Sequence, residues 1–123
     1  MTPAHECQVL IVEDNAEMNS VYVDLFEYEG FQAEAIDNGR EALARLETVV
    51  PDLIILDLHI PGVSGLEILD YIECESRFAQ THVVIMTADA LAARELEGRV
   101  DRVLVKPIPY EEFIKALALL GAD

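Results

Sequence analysis

The chain has no tryptophan, two cysteines and only 8 lysine and arginine residues among 123. The shortage of positive charge excludes the most. Set against 24 aspartate and glutamate residues, it leaves a formal net charge of −16. Phosphate backbones are gripped by Lys and Arg, so this chain alone makes a poor ligand for DNA or RNA. An anionic membrane surface would repel it for the same reason. The acidic excess reads as a solubilising surface. Cys7 and Cys74 lack metal-ligand spacing and are too few for a disulfide scaffold, so free thiols are expected. No apolar run is long enough to cross a bilayer, and Met1-Thr2-Pro3-Ala4-His5-Glu6 lacks the basic and apolar regions of a signal peptide. The expected location is the cytoplasm. Repeats, low-complexity tracts and linker-like stretches are also missing. The length fits one domain, taken as 1–123 with its core from about residue 7 to residue 120.

What is present is apolar sequence, 52% of the chain, enough for a core and too much for a disordered segment. It falls in short β-type runs that alternate with helical patterns. Val9-Leu10-Ile11-Val12, Leu53-Ile54-Ile55-Leu56, Val83-Val84-Ile85-Met86 and Val103-Leu104-Val105 are unbroken, as strands covered on both faces require. Phe31 to Ile36 supplies a weaker second strand. Met18, Val21, Tyr22, Leu25 and Phe26 recur at helical spacing and form one stripe. Asn15 is the expected N-cap of that helix and Gly30 its C-terminal stop. Further helices are predicted over Arg40 to Thr48, Gly65 to Cys74 and, briefly, Ala90 to Leu96. The last covers Tyr110 to Leu120, with Pro109 at its start and Glu111 and Glu112 where the helix dipole favours anions. Five strands alternating with five helices predict an α/β fold, a doubly wound five-stranded parallel sheet with helices on both faces. The flavodoxin-like order 2-1-3-4-5 suits this length, although periodicity alone leaves strand order open.

Open α/β sheets bind ligands beyond the carboxyl ends of their strands, so the residues that close each run carry the functional information. Glu13 and Asp14 follow the first run, Asp57 the third, Thr87 the fourth, and Lys106 with Pro107 the fifth. Each alone is commonly a turn or capping residue. In one parallel sheet all of them converge on one crevice. Crowded carboxylates need a cation or must hold protons. A hard divalent ion such as Mg2+ suits an oxygen donor set of this kind, and Lys106 adds a point charge fit for a phosphate oxygen. Asp57 beside such an ion is placed to attack phosphorus and form an acyl phosphate.

The runs Val9-Leu10-Ile11-Val12-Glu13-Asp14-Asn15 and Pro51-Asp52-Leu53-Ile54-Ile55-Leu56-Asp57, the continuation Leu58-His59-Ile60-Pro61-Gly62-Val63-Ser64-Gly65, and the pairs Thr87-Ala88 and Lys106-Pro107 together resemble a response-regulator receiver domain of two-component signalling. The resemblance covers the chain from Cys7 to about Leu120. It implies Asp57 as phosphoacceptor, Asp14 and Asp57 as direct Mg2+ ligands, Glu13 acting through water, and the His59 backbone carbonyl as a further ligand. Thr87 would contact the phosphoryl group and shift on activation, while Lys106 would pair with it. His59, Ala88 and Asp89 occupy positions that would modulate the site, and the Lys106–Pro107 peptide would be cis. The implied donor is a phosphohistidine on a histidine kinase or phosphotransfer protein docking beside the first helix. The implied output is contact with a downstream protein, without turnover of an external substrate. A phosphorylation-independent binding module on the same fold is the nearest competing reading. A haloacid-dehalogenase-type phosphatase would need an acid where His59 stands, and a flavodoxin would need a Ser/Thr/Gly-rich phosphate loop in place of Glu13-Asp14.

The family pattern is broken in places. Thr87 and Lys106 are 19 positions apart, shorter than expected, which would leave helix four a single turn or irregular. Val103 stands where the family often carries a switching aromatic ring. His5 and His82 read as incidental, and Leu117, Leu119 and Leu120 as core or an edge contact. Because the deviations fall on the usual signalling face, output is predicted to run through a different or modified face. Structures with and without a phosphoryl mimic on Asp57 check this, and an ordinary rearrangement of helix four would reject it.

Overall fold

A computed structural model of the chain describes residues 8–121, so the readings placed on His5 and Cys7 lie outside the described residues. The apolar runs become five strands: β1 (Val9–Val12), β2 (Ala33–Ile36), β3 (Leu53–Asp57), β4 (His82–Thr87) and β5 (Arg102–Val105). They form one sheet in the order β2-β1-β3-β4-β5, and every neighbouring pair is parallel. Five helices lie between and after them: α1 (Ala16–Tyr28), α2 (Gly39–Leu46), α3 (Gly65–Cys74), α4 (Ala90–Leu96) and α5 (Tyr110–Leu117). The flavodoxin-like doubly wound fold is therefore the one the sequence predicts. Among the described residues, no helix is long and apolar enough to cross a membrane.

A period of two is hidden inside the unbroken runs, because successive strand residues face opposite sides of a sheet. Leu10, Val12, Ile54, Leu56, Val83 and Ile85 join one core with residues of α2, α3 and α4. Val9, Ile11, Leu53, Ile55, Val84 and Met86 join a second with Tyr22 and Phe26 of α1 and Phe113 of α5. Leu117 belongs to that second core, and Leu119 and Leu120 pack against it from a terminal 3-10 turn, Ala118–Leu120.

Several boundaries differ from the expected ones. Asp57 and Thr87 are the last residues of β3 and β4 rather than the first beyond them. β2 begins at Ala33, and α2 spans Gly39–Leu46, its start set by the Asn38 side chain, which accepts the Glu41 amide. α4 covers seven residues, about two turns, and so is neither irregular nor a single turn. Its start is fixed by the Asp89 carboxylate, which accepts the amides of Leu91 and Ala92. On α1 the buried face carries Asn19, Tyr22 and Phe26, while Met18 and Val21 of the predicted stripe stay exposed. The stripe is rotated because the polar Asn19 occupies a core position. Gly30, at φ +96°, ends α1 as expected. Its amide and that of Phe31 return to the carbonyls of Glu27 and Phe26, a Schellman closure that needs a left-handed residue.

Two glycines set how closely helices approach the strand ends. A Cβ on Gly39 would overlap the Val63 carbonyl, and one on Gly65 would stand 2.6 Å from the Asp57 carbonyl oxygen. Both obstructions are backbone, which cannot swing aside. Gly65→Ala is expected to lower unfolding stability by about 1–3 kcal/mol through overpacking. Urea denaturation checks this, and a wild-type midpoint would show that the approach of α3 to β3 is looser than described.

Candidate functional site

Strand parity and parallel pairing gather the end residues. Glu13 follows β1, Asp57 closes β3, and Lys106 follows β5, where its amide is held by the Thr87 carbonyl at 2.8 Å. The Lys106 ammonium donates to Asp57 Oδ2 at 2.6 Å and to Glu13 Oε1 at 2.8 Å. Asp57 is 3% exposed and Glu13 2%, so both carboxylates are nearly dry, where an unpaired charge would be costly. Asp57 is satisfied on its other oxygen, Oδ1, by the His59 amide at 2.9 Å. Glu13 Oε2 accepts the Asn15 amide at 3.0 Å, and Asn15 Oδ1 caps α1 by accepting the Met18 amide. Glu13, Asp14 and Asp57 each offer a carboxylate oxygen, all within 4.8 Å of one another. Three hard oxygen donors at that spacing fit a divalent ion such as Mg2+, with room for water among its ligands.

The site borders an open cleft of about 650 Å³ lined by Glu13, Asp14, Tyr22, Ala88, Lys106 and Pro107. Asp14 is exposed. Its position beside Glu13, first through hydrogen bonding and then through partial burial and Glu13's charge, holds its carboxyl above the ordinary aspartate range. For Lys106, burial pulls the pKa down. The hydrogen bonds and charges of Asp57 and Glu13 outweigh this and leave it well above the ordinary lysine value. A value raised in the folded state adds stability that is complete below the unfolded lysine value and disappears only as pH climbs through the raised one. Near neutrality the lysine's contribution is therefore constant with pH.

The remaining predicted residues are placed as follows. Thr87 is fully buried, and its hydroxyl accepts the Asp89 amide at 3.0 Å. Asp89 is occupied with the α4 cap. The His59 side chain is exposed and its backbone amide faces Asp57. The Lys106–Pro107 peptide is cis. His82 lies at the opposite end of β4, 3.3 Å from Asp101. Cys74 is a free, exposed thiol.

The sequence reading missed two neighbours of the site. Tyr22, read as core, lines the cleft while its ring packs on Phe113, with centroids 4.8 Å apart. Burial raises its phenol pKa, and Glu13's charge adds to the rise. Asn19, not singled out at all, donates its side-chain amide to the Glu13 carbonyl at 2.6 Å. Its position, four residues beyond the Asn15 cap and three before Tyr22, was the available signal.

Comparison with known proteins agrees with this geometry. A sequence model described as the response regulator receiver domain matches residues 9–118. The polar-differentiation response regulator DivK of Brucella anthropi is 33% identical over 112 residues, covering 89% of this chain and 91% of that protein. The chemotaxis response regulator CheY4 of Vibrio cholerae superposes with a TM-score of 0.81 at 27% identity, over 91% of this chain and 96% of that one. The response regulator TrrA of Thermotoga maritima, solved in complex with Mg(2+)-BeF, superposes with a TM-score of 0.80 at 26% identity, over 93% of this chain and 98% of that one.

Removing the Lys106 ammonium leaves two nearly dry carboxylates facing each other. Lys106→Met is expected to reduce unfolding stability by about 1–3 kcal/mol, less than for a fully buried pair because the lysine is partly solvated. Urea denaturation at neutral pH in a chelator measures it, and no loss would mean that the bridge contributes nothing to the fold.

Proposed function

The chain belongs to the response regulator receiver family of two-component systems, and on that premise we propose that Asp57 accepts a phosphoryl group from a phosphohistidine in a magnesium-dependent transfer. One observation carries this reading: three carboxylates within 4.8 Å of one another, with the Lys106 ammonium bound to Asp57 at 2.6 Å. In the transfer, an Asp57 carboxylate oxygen attacks phosphorus as the phosphorus–nitrogen bond of the donor breaks. The imidazole leaves with the bonding electron pair, and Asp57 keeps the phosphoryl group as an acyl phosphate. Water attacking the same phosphorus later returns the carboxylate and releases inorganic phosphate. Such chemistry depends mainly on position and charge neutralisation.

In this reading Asp14 and Asp57 hold the metal directly, Glu13 holds it through water, and the His59 carbonyl supplies a neutral ligand. Mg2+, when bound, neutralises the carboxylates and the incoming phosphoryl oxygens. Lys106 exchanges its bond to Asp57 for one to the phosphoryl group, and Thr87 turns its hydroxyl from the Asp89 amide to a phosphoryl oxygen. Asp89 modulates the site through the α4 cap that follows Thr87, and Ala88 and His59 do so by bordering the acceptor. The donor is a histidine kinase or histidine phosphotransfer protein, and the output is an altered contact with a downstream protein. No external substrate is turned over. The setting is the cytoplasm, where such kinases present their phosphohistidine.

The experiment is phosphorylation of the full chain by acetyl phosphate with Mg2+, followed by intact mass. A gain of one phosphoryl group is expected, lost in Asp57→Ala and on removing magnesium by chelation. No gain under saturating donor would favour a phosphorylation-independent binding module.

A further inference from the structure

α1 buries one face, and at the site end of that face the chain places Asn19 rather than an apolar residue. Asn19 is 8% exposed. Its amide nitrogen is bound to the Glu13 carbonyl, while its Oδ1 meets no hydrogen-bond partner. A buried amide oxygen without a partner carries its full desolvation cost, which a leucine, branched alike but apolar, would not carry. Local rules broken in this way concentrate at functional sites. What the asparagine gives in return is a single bond, and the place where that bond lands explains it.

Glu13 is tied at every polar atom. Its amide donates to the Ile36 carbonyl of β2 at 3.0 Å. Oε1 accepts from Lys106 and Oε2 from the Asn15 amide. Its carbonyl accepts from Asn19 at 2.6 Å. That carbonyl belongs to the peptide joining Glu13 to Asp14. Because a peptide is planar, pinning its oxygen fixes the plane from which the Asp14 backbone departs. Asp14 is the exposed member of the three-carboxylate cluster, and its carboxyl leans on Glu13, the residue that the Asn19 bond holds in place. The Asn19 bond therefore sets the direction of the Asp14 ligand as well as that of Glu13.

We propose that Asn19 is a positioning residue for the divalent-ion half of the site, acting by orienting the Glu13–Asp14 peptide. It touches neither ion nor phosphoryl group. The inference rests on the magnesium-dependent reading above and adds a residue to it. Outer-shell partners of metal ligands commonly affect metal affinity by about 10- to 100-fold, because a ligand that must be ordered on binding binds more weakly.

The test is a Mg2+ titration of the full-length wild type, Asn19→Leu and Asn19→Ser, followed by tyrosine emission. That signal is readable because the chain lacks tryptophan and Tyr22 borders the cleft with Asp14. Thermal midpoints are measured in parallel in EDTA and in saturating Mg2+. The half-saturating Mg2+ concentration is expected to rise about tenfold in both variants. In EDTA the Asn19→Leu midpoint should stay close to that of wild type, since the unpartnered Oδ1 is gone while the Glu13 carbonyl loses its donor. The stabilisation that Mg2+ adds should shrink in both variants. A structural role alone would give the reverse pattern, a lower midpoint in EDTA with an unchanged Mg2+ response, and would overturn the proposal. If wild type itself ignores Mg2+, the proposed function fails and takes this inference with it. If wild type responds and the variants match it, this inference alone fails.

Discussion

The interaction on which the site depends is the Lys106 ammonium lodged between Asp57 and Glu13, at 2.6 and 2.8 Å. Two carboxylates this dry cannot sit side by side as bare anions without a large penalty. The lysine that offsets them arrives from the far side of the sheet, beyond β5. β3 lies between β1 and β4, and β5 pairs only with β4, so Lys106 must reach across the end of β4. The Thr87 carbonyl, which holds the Lys106 amide, fixes the point from which it reaches. The ion pair thus couples three strand ends separated by most of the sequence.

Strand parity decides which residues can take part. Along β1 and β3 the odd-numbered residues face α1 and α5, and Glu13 and Asp57 continue that series. On β5 Leu104 faces the same side, and Lys106 continues its series. Thr87 follows Val83 and Ile85, which face α2, α3 and α4, so it approaches Asp57 from the opposite side. The acceptor is thereby flanked by an ion-pair half on the α1/α5 side and a hydroxyl half on the α4 side. Val103 lies on the hydroxyl side and packs there as an aliphatic residue. On the ion-pair side, Tyr22 and Phe113 place an aromatic contact directly between the cleft and α5.

Much of this was legible in the sequence because strands buried on both faces must be written as unbroken apolar runs. A residue that ends such a run in a parallel sheet has one place to go. The four unbroken runs, with the weaker second strand and the residues closing the runs, therefore pointed to the sheet, its helices and the members of the acidic cluster. Parity was not legible, because a run apolar at every position hides which residues share a face. Asn19 was missed for a related reason. Hydrophobic periodicity scores side chains by type, so a buried polar residue shifts the apparent stripe toward Met18 and Val21, which the fold leaves exposed. The bounds of α4 were read correctly and its regularity was not, and the start of α2 was placed one residue late; at both starts a side-chain cap, Asp89 or Asn38, organises the first turn. A cap acts through geometry that residue type only permits.

Charge explains why the cluster suits a divalent ion rather than a second lysine. Lys106 offsets one of the three negative charges of Glu13, Asp14 and Asp57, and a divalent cation would offset the other two. A phosphoryl group on Asp57 would replace one carboxylate charge with about two. The lysine, with three donors and a flexible stem, can adjust to that charge, whereas Glu13 cannot, since its amide, carbonyl and Oε2 are all bonded to the frame. Of the two partners in the resting ion pair, only one is free to move. Glu13 is thus the fixed member of the pair, and the Lys106 side chain the adjustable one, swinging from a backbone that the Thr87 carbonyl anchors.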